Sequence, residues 1–208
     1  MQKLPRIIKN IQVEESPQWL KEKLESIGQK SINNVVDIAN YVLNDLGHPL
    51  HTFDLDLIKN KEINIRYAKK NEKLLALDNN TYTLNAKDLI IADKSNPIAL
   101  AGIIGGLNSH VSISTKNILI ESAYFNPVTI RKSSKSKGIS TEASKRFERD
   151  TDFEILTYAM DKAAMLIQKV SGGNVSKDYI DINLSKNKSS QIPFNLDNCN
   201  SFLGANIK

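Results

Sequence analysis

His51 stands in the run His48-Pro49-Leu50-His51-Thr52-Phe53, just after a helical pattern ends. An imidazole there can orient a water or touch a ligand, and it can equally make one structural hydrogen bond. Glu121 follows Ile118-Leu119-Ile120 and precedes Ser122-Ala123-Tyr124-Phe125. A carboxylate in so apolar a strand is either partly desolvated, which is costly unless it is paired, or it reaches water at the strand end. Gly102, Gly105 and Gly106, in Leu-Ala-Gly-Ile-Ile-Gly-Gly, offer a ligand bare backbone or serve turn geometry alone. They lack the lysine of a phosphate-binding loop. Thr141-Glu142-Ala143-Ser144 reads as a helix start capped by Thr141, and Asn40 is an amide beside an apolar helical stripe. His48 and His110 are expected at the surface. No Ser–His–Asp set and no metal-ligand spacing can be assembled, and the single Cys199 cannot form an internal disulfide.

These side chains need elements to position them. Residues 6–13 have strand composition. Ser16-Pro17 reads as the cap and first position of a helix whose stripe is Trp19, Leu20, Leu24 and Ile27, stopped by Gly28. A second helix is expected from near Ser31. Ile32, Val35, Val36, Ala39, Val42, Leu43 and Leu46 recur at its spacing and Gly47 closes it. The middle reads as β: 63–67, a hairpin of 73–77 and 81–84 about Asp78-Asn79-Asn80, then 88–92, 97–101, 111–114 and 117–123. Asn126-Pro127 opens a basic helix that Gly138 stops. Thr151-Asp152-Phe153-Glu154 has the form of a capping box for a helix with Leu156, Ala159, Met160, Ala163, Ile167 and Val170 on one face. Residues 175–184 read as a last strand. Helices at the ends and short strands between them predict an α+β fold. Its core is a mixed or antiparallel set of short strands, open or barrel-like, flanked by helices.

The 208 residues carry a net charge of +5, with 40% hydrophobic and 25% charged residues, the balance of a globular protein. The charge is uneven: residues 127–150 hold seven Lys/Arg against three acids. Within that stretch Arg131, Lys132, Lys135 and Lys137 suit a polyanion, and they suit a solvated helix face as well. No apolar run approaches the ~20 residues that span a bilayer, and the N-terminus has no secretory signal core. A cytoplasmic location without membrane contact is expected.

Taken together the motifs are far more specific. Ile32-Asn33-Asn34-Val35-Val36-Asp37-Ile38-Ala39-Asn40-Tyr41-Val42-Leu43 and Leu46-Gly47-His48-Pro49-Leu50-His51-Thr52-Phe53-Asp54 closely resemble the bacterial phenylalanyl-tRNA synthetase β-subunit family. So do Pro97-Ile98-Ala99-Leu100-Ala101-Gly102-Ile103-Ile104-Gly105-Gly106, Ile120-Glu121-Ser122-Ala123-Tyr124-Phe125, and residues 138–149, Gly-Ile-Ser-Thr-Glu-Ala-Ser-Lys-Arg-Phe-Glu-Arg. The resemblance is to that family's B3/B4 region, its editing module. It implies that residues 1–184 form this module from two intertwined subdomains, that 185–191 are a linker, and that 192–208 begin a truncated B5-like domain. The chain would then be a fragment of the subunit.

The resemblance implies hydrolysis of tyrosine mischarged onto phenylalanine tRNA. That activity serves an enzyme that charges this tRNA with ATP and Mg2+. The alternative is a module that binds tRNA or a subunit without hydrolysis. By the resemblance His51 and Thr141 are the catalytic positions, Glu121 reads the tyrosine phenol, and Asn40, Gly105 and Ala143 line the pocket. Arg131, Lys132, Lys135 and Lys137 would meet the tRNA acceptor end. Ala39 stands where the family pattern has threonine, and Asp150 where it has glycine. No metal or cofactor is expected in this segment. The implied protein partner is the α subunit, in a heterotetramer of two α and two β.

Overall fold

The computed structural model describes residues 2–183 and 191–208. In chain order the first elements are β1 (Gln2–Lys9), α1 (Gln18–Glu25), α2 (Asn34–Leu46), β2 (Leu50–Asp54), β3 (Asn64–Tyr67), β4 (Lys73–Leu75) and β5 (Thr81–Thr83). There follow β6 (Leu89–Ala92), β7 (Pro97–Leu100), β8 (Ile104–Gly105), β9 (Asn117–Tyr124), α3 (Pro127–Lys137), α4 (Glu142–Phe147), α5 (Leu156–Ser171), β10 (Asn174–Val175), β11 (Ile182–Asn183) and α6 (Leu196–Leu203). The expected α+β class holds, and among the described residues every strand pairing is antiparallel. One sheet runs β10-β1-β9-β2, with β11 also on β1; a second runs β3-β6-β7-β8; β4 and β5 form the expected hairpin.

Alternation along β9 divides the molecule into two cores. Ile118 and Ile120 face α2 and α5, where Val35, Ile38, Val42, Met160, Ala163 and Ile167 cover them. Leu119 and Ala123 face the opposite way, with Phe53 of β2, onto Ile91, Ile98 and Leu100 of the second sheet. Burying a side chain such as Phe53 stabilises by about 1.5–3 kcal/mol. Ile130 of α3 and Phe147 of α4 close this second core.

The ends of α2 and α3 follow the sequence. Asn33 accepts from the N–H groups of Val35 and Val36, and Asn126 from that of Thr129, with Pro127 opening α3. Gly47 and Gly138 end these helices in the left-handed conformation.

Four expectations fail for local reasons. Ser16 does not cap α1. Its hydroxyl donates to the buried Asp37 carboxylate at 2.6 Å, which also accepts from Ser31 Oγ and the Ile32 N–H. Thr151 does not cap α5, which starts at Leu156 with no side-chain cap. The capping box lies instead at α4, where Thr141 and Ser144 serve each other's N–H groups. Residues 111–114 form no strand, because Thr115 Oγ1 accepts from the Ser112 N–H and donates to Asp54, fixing a turn. The last strand is two short pieces, β10 and β11, both on β1. The linker expected at 185–191 lies, but for Gln191, outside the described residues.

Candidate functional site

A cavity of about 530 Å³ opens between the two sheets, closed by α2 and α4. Asn40, His51, Gly105, Glu121, Thr141 and Ala143 all line it, although they span a hundred residues of chain. β2 and β9 pair with His51 directly opposite Glu121. Side chains opposite each other share a face with Cβ atoms about 5 Å apart. Alternation makes that face the inner one, shared with Phe53, Leu119 and Ala123. Glu121 is therefore buried, 4% exposed, at the cavity wall.

His51 is held as part of that wall. Its ring meets Phe53 edge to face with centroids 4.4 Å apart. On its other side lies Gly105, where an added Cβ would fall 2.6 Å from the His51 Cε1 and 2.8 Å from Nε2. Gly105 is thus bare backbone because the imidazole occupies the space a side chain would need. Its carbonyl accepts from the Leu77 N–H at 3.0 Å, and Leu77 lines the same cavity.

Thr141 is anchored three ways. Its hydroxyl accepts from the Ser144 N–H at 3.0 Å and donates to the Ile103 carbonyl at 2.7 Å, while its own N–H donates to Ser144 Oγ at 2.9 Å. This fixes the first turn of α4 against the loop before β8, with Ala143 as a small wall residue. Phe147, one turn on, packs edge to face on Phe125 at 5.2 Å. Glu142 also faces the cavity. Lys145 and Arg146 hydrogen-bond it and hold its carboxyl below the usual range.

The two histidines placed at the surface by sequence are elsewhere. His48 is 1% exposed. Ser122 Oγ donates to the Leu156 carbonyl at 2.9 Å, so His48 Nε2 must donate to Ser122, 3.1 Å away. Burial pushes its imidazole down to about 4, against the opposing charge of Asp152. His110 is half-buried and lines the cavity, its Nδ1 2.5 Å from the Leu107 carbonyl. Hydropathy carries no signal for it, because its placement depends on a short 3-10 turn, Leu107–Ser109, tied to β7 by side chains.

The basic helix α3 packs against α4 and does not line the cavity. Arg131, Lys132 and Lys135 are exposed, and Arg131 also donates to the Glu148 carbonyl at 2.8 Å. Lys137 turns inward, 3.0 Å from the buried Asp88 and 2.7 Å from the Thr83 carbonyl. Among the described residues no group of three or more His, Cys, Asp or Glu is arranged to hold a metal. No helix among them is long and apolar enough to cross a membrane.

Known proteins resemble this arrangement in both sequence and fold. The chain is 46% identical over 202 residues to the phenylalanine–tRNA ligase beta subunits of Protochlamydia amoebophila and Geobacter sulfurreducens. It is 41% identical over 203 residues to that of Thermotoga maritima. These alignments cover 97–98% of this chain and 25–26% of the relatives, so the chain spans about a quarter of their length. Its fold matches the crystal structure of an N-terminal fragment of the phenylalanyl-tRNA synthetase beta-subunit from Pyrococcus horikoshii. There the TM-score is 0.53 and the identity 14%, over 99% of this chain and 56% of that one. Residues 3–172, which carry the whole cavity wall, match the model of the B3/4 domain, and the chain belongs to that family.

Proposed function

We propose that this chain is the editing segment of a phenylalanyl-tRNA synthetase β subunit, and that its cavity hydrolyses tyrosine mischarged onto phenylalanine tRNA. The observation that supports this most is the cross-strand pairing of His51 with the buried Glu121 in one cavity with Gly105, Thr141, Ala143 and Asn40.

The chemistry follows from one hydroxyl. A synthetic pocket built for an apolar ring rejects an added hydroxyl only about 10²-fold, so a second, hydrolytic site is useful. A buried carboxylate discriminates in the needed direction: a phenol can donate a hydrogen bond to it and a phenyl ring cannot. Glu121 serves that role, with Ala123 on its own strand face and Phe125 supplying apolar wall. His51, wedged against Gly105 and Phe53, places the reacting end. Thr141, whose hydroxyl donates its hydrogen bond to the Ile103 carbonyl, holds α4 and with it Ala143 in position. The ester is already activated, so positioning a water and the carbonyl supplies much of the acceleration.

Ligation itself, with ATP and Mg2+, belongs on this reading to the whole enzyme and its α subunit, and no step here runs through either. The exposed face of α3, with Arg131, Lys132 and Lys135, lies next to the cavity wall and suits the phosphates of an acceptor stem. The test is deacylation of tyrosyl- and phenylalanyl-tRNA(Phe) by this chain. Faster loss of tyrosine is expected; binding of both without hydrolysis would make it a tRNA-holding module instead.

A further inference from the structure

The cavity contains a second histidine, and the geometry points to His110 as the proton acceptor for the attacking water, an inference that rests on the ester hydrolysis proposed above. A carbonyl oxygen cannot donate, so Nδ1, 2.5 Å from the Leu107 carbonyl, must carry the proton of the neutral ring. The lone pair is then on Nε2. A backbone carbonyl on one nitrogen is the arrangement that fixes a tautomer and leaves the other nitrogen basic.

The segment that carries His110 is rigid. Ser109 is buried and donates to the Ile98 carbonyl at 3.2 Å, and Asn108 donates to the Pro97 carbonyl at 3.0 Å. Both acceptors belong to β7, so the turn that begins just after Gly105 is fixed to the second sheet. His110 is half-buried, which gives its ring access to water at the cavity edge.

The other polar groups of the cavity suit the task less. The titratable ones are His51 from β2, Glu121 from β9 and Glu142 from α4. On the proposed reading His51 places the reacting end and Glu121 reads the side chain. Glu142 is ion-paired with Lys145 and Arg146, which weakens it as a base. The Thr141 hydroxyl donates its hydrogen bond to the Ile103 carbonyl.

The step balances without a further reactant. Water oxygen bonds to the ester carbonyl carbon as its proton passes to Nε2. Collapse of the tetrahedral intermediate breaks the bond to the ribose oxygen, which takes the proton back from Nε2. The products are the free amino acid and the terminal hydroxyl.

The experiment measures deacylation of tyrosyl-tRNA(Phe) by this chain and by its His110→Gln and His110→Ala variants, from pH 5.5 to 8.5, with a thermal melt of each. Glutamine keeps a hydrogen-bonding group of similar reach and cannot act as a base. The assignment requires kcat to fall about a hundredfold or more in both variants, with KM little changed. An unchanged kcat in folded variants, or a rise in KM alone, overturns it. Absence of hydrolysis by the unsubstituted chain overturns the editing reading, and this assignment with it.

Discussion

Lys132 and Lys135 extend into solvent from α3, while Lys137 on the same helix ends against Asp88, which is 1% exposed. The difference decides what each substitution does. Lys137→Ala leaves a buried carboxylate with only Ser133 Oγ and the Asn85 N–H as partners, and should cost about 3 kcal/mol in urea unfolding. Lys132→Ala should change stability by no more than about 0.5 kcal/mol and weaken tRNA binding instead. Sequence assigns all four cations of this stretch one role, because charge counting does not see which side chain the helix turns inward. His48 gives the second prediction at this scale. Its Nδ1 is buried without a hydrogen-bond partner, so the folded state resists protonation that the unfolded chain accepts. Its contribution to stability is whole at pH 7 and is lost as pH falls from about 6.5 toward 4. That is about 3 kcal/mol over the interval. Urea midpoints at pH 7 and pH 4.5 check it: the drop should be smaller in His48→Asn than in the unsubstituted protein.

At the scale of elements, β8 is only Ile104–Gly105, yet it forms the cavity wall behind His51. Gly105→Ala puts a methyl where the imidazole now lies, so the His51 ring must shift to make room. Overpacking of this kind costs about 1–3 kcal/mol, and hydrolysis should fall with the displaced ring. A melt and a deacylation assay on the same sample check both halves; hydrolysis at the full rate would mean that the His51 ring position does not matter. Much at this scale is legible in sequence. Asn126-Pro127 and Gly138 bound α3, and the period of two in β9 already separates Ile118 and Ile120 from Leu119, Glu121 and Ala123. What is not legible is the β2–β9 register. The two strands lie far apart in sequence with no shared turn, so nothing local sets His51 opposite Glu121. Ser16 and Thr151 mislead for a related reason. Capping patterns are local, and the partner that takes the Ser16 hydroxyl, Asp37, comes from another helix.

For the whole molecule the proposed function raises the question of how a small cavity is presented to a large polyanion. Most of the +5 net charge falls in residues 127–150, and Arg131, Lys132 and Lys135 are exposed on α3 beside α4. Binding through phosphate contacts releases counterions, so affinity for tRNA should fall steeply and log-linearly between 50 and 200 mM salt. An affinity flat in salt would remove α3 from the interface. On the proposed reading the cavity supplies selectivity, through the Glu121 carboxylate that β9 places in its wall. The most direct test of that claim is the ratio of tyrosyl- to phenylalanyl-tRNA(Phe) deacylation rates, in the unsubstituted protein and in Glu121→Ala. The account predicts a preference for tyrosine that shrinks about ten- to a hundredfold in the variant, the worth of one charge-assisted hydrogen bond, with the fold retained. The same ratio in both proteins would contradict it, and would take Glu121 out of the recognition of the substrate.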